Sequence, residues 1–337
     1  MNIKSENHLI VNYKLQASSF EPQPSSSKLV ASNPTSIIYL LALILLSILS
    51  SCSPKAETAK SDKLSIVTTT GMIADAVKNI VGNHADVVAL MGPGVDPHLY
   101  KATQGDLEKL TNADIIFYNG LHLEGKMGEV LEKLARTKTV VAVGGEIDTA
   151  RLRSVANGIH DPHIWFDVAL WKEAVKVAAT TLANTDSIHA AEYTEHASTY
   201  LLQLDSLHAS IQEKIKEIPE SQRVLITAHD AFGYFGDAYG VEVRGLQGIS
   251  TVAEFGLKDV TALVDFIIDR KIKAIFVETS VSEKSINAVI EGCLQQNWQV
   301  RIGGSLYSDA MGPANTKEGT YIGMVHKNVS TIVESLK

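Results

Sequence analysis

Cysteine is almost absent from this chain of 337 residues: only Cys52 and Cys293 occur, in such different contexts that a disulfide between them is not expected. No disulfide framework therefore holds the fold. Positive charge is also in short supply. The 30 basic residues against 38 acidic ones leave a formal net charge of −8, which argues against nucleic acid and other polyanions as partners. That excess alone does not mark a cation-binding protein, because many soluble proteins carry one for solubility. Neither a nucleophile elbow nor a phosphate-binding P-loop is present. The 45% hydrophobic content is enough to bury a core in one large domain or two ordinary ones.

The apolar run Ile37 to Leu49 (IIYLLALILLSIL) has 13 residues, a length that suits a signal-peptide core and falls short of a bilayer span. It ends in Leu49-Ser50-Ser51-Cys52, which resembles the lipobox of bacterial lipoproteins and implies cleavage before Cys52 and acylation of that residue. The polar stretch Ser53 to Lys63 reads as a flexible tether. Because 36 residues, including EPQPSSSK, precede the apolar run, initiation at Leu29 or Val30 is an expectation that leaves the mature chain unchanged.

From Leu64 onward short β-rich runs alternate with helical stretches. LSIVTT (64–69), DVVALM (86–91), DIIFYN (114–119) and TVVAV (139–143) are separated by apolar residues at helical spacing over Met72 to Val81, Gly105 to Thr111 and Gly125 to Ala135. The same alternation resumes with RVLITA (223–228), VEVRGL (241–246), AIFVET (274–279) and VRIGG (300–304), with helices over Asp259 to Arg270, Glu283 to Gln296 and Glu318 to Leu336. Between the two series, Ala190 to Glu217 carries apolar residues at steps of three and four, with no Gly or Pro until Pro219. At about 1.5 Å per residue it predicts one strut on the order of 40 Å long. The expected fold is α/β: two βα lobes with mainly parallel sheets joined by one long rigid helix. The expected organisation is a leader and signal peptide over 1–51, a lipidated tether over 52–63, lobes over 64–188 and 219–337, and the linking helix over 189–218.

Of eleven histidines, His84, His189, His196, His208 and His326 sit in polar or helical contexts without companions and read as surface residues. Three others occupy turn-rich loops at strand ends, where doubly wound sheets build sites: His98 in GPGVDPHLY, His163 in HDPHIWFD and His229 in TAHDAFGYF. His160 competes with His163 from three residues away. His229 ends a strand and begins a helix, with Asp230 beside it as a cap or supporting partner. Asp309 lies in the glycine-flanked loop GGSLYSDAMG, where a turn-stabilising role is the alternative. Taken together, two loops from each lobe would place three imidazoles and one carboxylate in the interlobe cleft, a set that suits zinc, manganese or iron.

The segments GVDPHLYKATQGDLEKLTNADIIFYNGLHLEGKMGEVL, DPHIWFDVALW, VLITAHDAFGYFGDAYGVEVRGLQGIST, IFVETSVSEK and LYSDAMG resemble the zinc and manganese solute-binding proteins of metal ABC transporters. The likeness is greatest to their TroA-type members, bacterial solute-binding protein family 9, and runs from about Leu64 to Leu336. It implies metal ligation by His98, His163, His229 and Asp309, and it sets His160 and His122 aside. It further implies capture of one Zn2+ or Mn2+ per chain, or Fe2+, as transported ligand and its delivery to a membrane permease. The protein would be a monomer held at the cell envelope by acylated Cys52 in a lipid bilayer, facing the periplasm or exterior, without enzymatic activity. Two features pull the choice of metal apart: Lys126 to Asn157 lacks the histidine-rich loop of zinc-specialised relatives, yet a third imidazole at position 229 favours zinc over manganese. The rival readings are a surface adhesin with a structural metal and a secreted zinc enzyme, for which Asp161, Asp230 and Glu278 qualify as bases by residue type alone.

Overall fold

The computed structural model describes residues 63–156 and 158–337. The expected signal peptide, Cys52 and the expected tether up to Asp62 lie outside these residues.

Strand β1 (Leu64–Thr68) is central in a four-stranded parallel sheet, flanked by β2 (Ala85–Ala89) and β3 (Ile115–Tyr118), with β4 (Thr139–Ala142) outside β3. Apolar side chains on both faces of β1 and β3 are buried, which is why these strands read as continuous apolar runs. Helices α1 (Gly71–Val81), α2 (Gln104–Asn112) and α3 (Gly128–Leu134) make the crossovers. The chain leaves β1 for one neighbour and returns on the other side, so the loops after these strands diverge and open a crevice at their carboxyl ends. A short antiparallel hairpin, β5 (Ser154–Ala156) and β6 (Ile159–His160), follows and is a departure from the parallel pattern that the sequence does not announce.

The second half repeats the scheme. Strand β7 (Val224–His229) pairs in parallel with β8 (Glu242–Gln247), and β9 (Ala274–Glu278) with β10 (Arg301–Leu306), β7 and β9 running side by side. Helices α6 (Gly233–Tyr239), α7 (Leu257–Asp269), α8 (Lys284–Gln295) and α9 (Tyr321–Leu336) accompany them. Helix α9 begins at Tyr321, not at Glu318, because Thr320 caps it and 317–319 form a separate 3-10 turn.

Two helices lie between the halves where the periodicity predicts one. Helix α5 (Ala190–Ile215) buries Tyr193, Ala197, Tyr200, Leu204, Leu207, Ile211 and Ile215, the predicted stripe, and ends two residues before Glu217. Helix α4 (Val168–Thr185), capped by Asp167, packs along it. Helix α5 also touches α1 from the first half and α9 from the second, and one hydrophobic core extends from Ile66 through Trp171 and Tyr200 to Tyr321 and Leu336. A second cluster, including Ile226, Ile275, Val289 and buried Cys293, fills the space under α7 and α8. Among the described residues no helix is long and apolar enough to cross a membrane.

Candidate metal centre

Each of the four loops is held by its own local chemistry. After β2, Leu90 and Met91 donate to the carbonyls of Thr68 and Thr69 and prolong the sheet pairing. The chain then turns, and Asp96 Oδ1 accepts the backbone N–H of His98 at 2.8 Å. Past His98 the chain is fixed again by the capping box of Thr103 and Asp106 that starts α2. Asp161 Oδ1 accepts from both the backbone N–H (3.0 Å) and Nδ1 (2.7 Å) of His163, and Asn119 Nδ2 donates to the Pro162 carbonyl at 3.0 Å. The Trp165 ring lies edge-on to His163 with centroids 5.3 Å apart, and its Nε1 donates to the Ser308 carbonyl at 3.1 Å, fixing the loop that carries Asp309.

His229 is the last residue of β7, and Glu278, the last residue of β9, takes its backbone N–H on Oε1 at 2.8 Å. Glu278 Oε2 lies 2.5 Å from Nδ1 of the same histidine, at an angle off ideal hydrogen-bond geometry. Asp230 neither caps the next helix, which starts at Gly233 behind Phe232, nor supports the His229 ring: Glu278 reaches the ring from the neighbouring strand instead.

These loops bring His98, His163, His229 and Asp309 together, one donor atom from each lying within 4.8 Å of the others. All four are buried, the most exposed being His98 at 3%. The Nε2 atoms of His98 and His163 are 3.4 Å apart, and Asp309 Oδ1 is 3.4 Å from His163 Nε2. Its Oδ2 is 3.3 Å from His229 Nε2 and 3.8 Å from His98 Nε2. A tetrahedral zinc with arms of about 2.0–2.2 Å sets neighbouring donor atoms about 3.3–3.6 Å apart, so these spacings leave a hole of cation size. Both Asp309 oxygens and His229 Nε2 are buried without an aligned hydrogen-bond partner. Buried acceptors left without donors are costly, and a cation between them removes the cost.

The charge balance of the pocket points the same way. Burial disfavours the carboxylate of Asp309, but His229 and His163 outweigh it and hold the group well below the usual carboxylate range. Burial likewise opposes a proton on His163, yet Asp161 and Asp309 raise it to about 9. Against the same burial, Glu278 and Asp309 raise His229 well above its ordinary value. Burial carries His98 down to about 4 despite Asp309. The site thus holds three carboxylates around three imidazoles in a buried space and favours added positive charge.

His160 and His122 stand outside the cluster. Four of the histidines read as surface residues are half-buried and partnered. His84 stacks on His189 with ring centroids 4.0 Å apart and meets Glu192; His189 Nδ1 meets Asp186; His196 Nδ1 meets the Ile80 carbonyl; His208 Nδ1 meets Tyr239 Oη. They were isolated only along the chain: helix packing supplies their companions. His326 is exposed as expected. The supporting roles of Asp161 and Glu278 escape a reading by residue type. The Asp-x-His spacing of Asp161 and His163 signals the first; nothing local signals the second.

Fold and cluster together define an α/β protein with a deeply buried cluster of three histidines and one aspartate suited to a metal ion. The chain belongs to the family described as zinc-uptake complex component A, periplasmic, whose match covers residues 66–335. It is 49% identical over 291 residues to the manganese-binding lipoprotein MntA of Bacillus subtilis, spanning 86% of this chain and 95% of that protein. It is 50% identical over 280 residues to the zinc-binding protein TroA of Treponema pallidum, spanning 83% and 91%. The solved structure of that periplasmic zinc-binding protein superposes with a TM-score of 0.80, covering 81% of this chain and 99% of the other. The manganese ABC transporter substrate-binding lipoprotein PsaA of Streptococcus pneumoniae serotype 4 is 29% identical over 307 residues, 89% of this chain and 97% of its own length.

Proposed function

We propose that this protein captures one divalent transition metal ion outside the cytoplasm, using His98, His163, His229 and Asp309 as ligands, and delivers it to an ABC permease. The observation that carries the reading is the Asp309 carboxylate: both oxygens are buried without aligned hydrogen-bond partners and lie 3.3–3.8 Å from three imidazole nitrogens. The relatives named for zinc, for manganese and for ABC transport support it. The metal is zinc or manganese, with Fe2+ also suited to the donor set, and three imidazoles favour zinc over manganese at equal availability. Anchoring through acylated Cys52 would keep the protein, as a monomer, near its permease at the envelope.

An enzymatic reading asks for a base free to act on bound water. Asp161 and Glu278 are instead committed to the Nδ1 side of two candidate ligands, facing away from the donor cluster. The test is metal content and affinity of the purified protein under competing zinc and manganese, with His229→Ala in parallel. One ion per chain, lost in the variant, is the expected result; binding unchanged by the substitution would show that the ligand set is wrong.

A further inference from the structure

His98 is the candidate ligand nearest to solvent. His163 and His229 are wholly buried, whereas His98 precedes Leu99, which is 50% exposed, on a loop whose Gly92, Pro93 and Gly94 are exposed as well. Of the loops that carry the candidate ligands, this one therefore offers a cover over the pocket whose displacement would let an ion out. What holds the loop from outside is in the other half of the molecule. Thr251, in the loop between β8 and α7, donates its hydroxyl to Asp96 Oδ2 at 2.6 Å, while Oδ1 of the same carboxylate accepts the His98 N–H.

The Thr251 loop follows β8, the strand paired with β7, which ends in His229. Gln247, at the end of β8, lies opposite His229 in the parallel register, and its carbonyl accepts the N–H of Asp230. Its side-chain amide donates to the carbonyls of Thr251, at 2.7 Å, and Ala253, folding the loop so that the Thr251 hydroxyl faces Asp96. A single line of contacts thus runs from His229 through Gln247, Thr251 and Asp96 to His98 without passing through the donor atoms.

We propose that the Asp96–Thr251 hydrogen bond is a latch between the two halves, and that these are positioning residues which set how long the metal stays bound. The inference rests on the metal-capture reading above. A hydrogen bond to a carboxylate is among the stronger kind, and one formed only when the two loops meet slows release more than it slows capture. Asp96 is half-buried and Thr251 lies on a half-buried loop position, so a change at Thr251 leaves the core intact.

The experiment loads the full chain with zinc alone and follows release into excess chelator by stopped flow. Thr251→Val, which keeps the shape and removes the hydroxyl, should release zinc roughly ten-fold faster, with capture rate within about two-fold and the metal-free protein still unfolding in one cooperative thermal transition. Thr251→Ser, which restores the hydroxyl, should return release close to the unsubstituted rate. Release from Thr251→Val at the unsubstituted rate, or from Thr251→Ser as fast as from Thr251→Val, overturns the latch alone. Failure of the unsubstituted chain to take up stoichiometric zinc or manganese overturns the capture reading and the latch with it.

Discussion

Glu278 holds His229 on two sides, accepting its backbone N–H at 2.8 Å with one oxygen and lying against its Nδ1 with the other. The imidazole is thereby turned with Nε2 toward Asp309, and Asp161 does the same for His163 through Nδ1 and the backbone. Carboxylates behind metal-bound imidazoles fix ring orientation and raise ligand basicity, and their loss typically weakens metal binding by about 10- to 100-fold. Glu278→Gln and Asp161→Asn should each lower zinc affinity by that order while leaving one ion per chain, measured by competition with a chelating dye. Affinities equal to the unsubstituted protein would mean that the rings are set by packing alone.

Gly245 belongs to the site although it carries no side chain. It pairs with Thr227 in the parallel register, and an added Cβ would stand 2.5 Å from the backbone nitrogen of Asp230 and 2.7 Å from the carbonyl carbon of His229. Gly245→Ala must push the end of β7 out of place, at a cost of about 1–3 kcal/mol for overpacking. A lower thermal midpoint together with weaker metal binding is expected; a change in one without the other would separate the strand's packing from the ligand's position.

The inner strands β1, β3, β7 and β9 were legible because burial on both faces makes them apolar runs, as in VLITAH and AIFVE, whereas the more exposed β2, β4, β8 and β10 were legible from short β-branched runs bounded by turns. That these four side chains would cluster was legible for a different reason: His98, His163, His229 and Asp309 all sit in loops near strand ends rich in Gly, Pro and Asp. Helix α4 carries its own stripe, Val168, Trp171, Val175, Ala178 and Leu182 at steps of three and four, but Ala169, Ala174, Ala179 and Ala183 soften the contrast between this face and the others. Glu278 could not be paired with His229 from sequence, since 49 residues separate them and only the juxtaposition of β7 and β9 brings them together.

The turn after His98 depends on Asp106, which accepts from the Thr103 N–H (2.9 Å) and hydroxyl (2.6 Å), the Tyr100 hydroxyl (2.7 Å) and Lys109 Nζ (3.2 Å). Burial works against the carboxylate, but these donors outweigh it and hold the group well below its ordinary range. A depressed folded value means that the stabilisation is complete above the unfolded carboxylate pKa, near about 3.9, and drains away as pH falls below it. Asp106→Asn should cost about 1 kcal/mol near neutrality through the weakened cap. It should also flatten the fall in thermal midpoint between roughly pH 4 and pH 2. Parallel acid limbs for the two proteins would show that Asp106 titrates as it does in the unfolded chain.

Removal of the metal separates a cargo from a staple. The main core runs through α1, α4, α5 and α9 and the central strands, and the second cluster packs beneath α7 and α8, so neither depends on the four donor side chains for its apolar contacts. The protein should therefore remain folded after chelation, keeping its far-ultraviolet circular dichroism and a cooperative thermal transition. Adding metal back at about 100 times its dissociation constant should stabilise the native state by about 2.7 kcal/mol through mass action alone, and the midpoint should rise with metal concentration. Unfolding on chelation would make the ion part of the fold, as in small zinc domains. A staple of that kind would favour the adhesin reading, since a carrier must survive the release of what it carries.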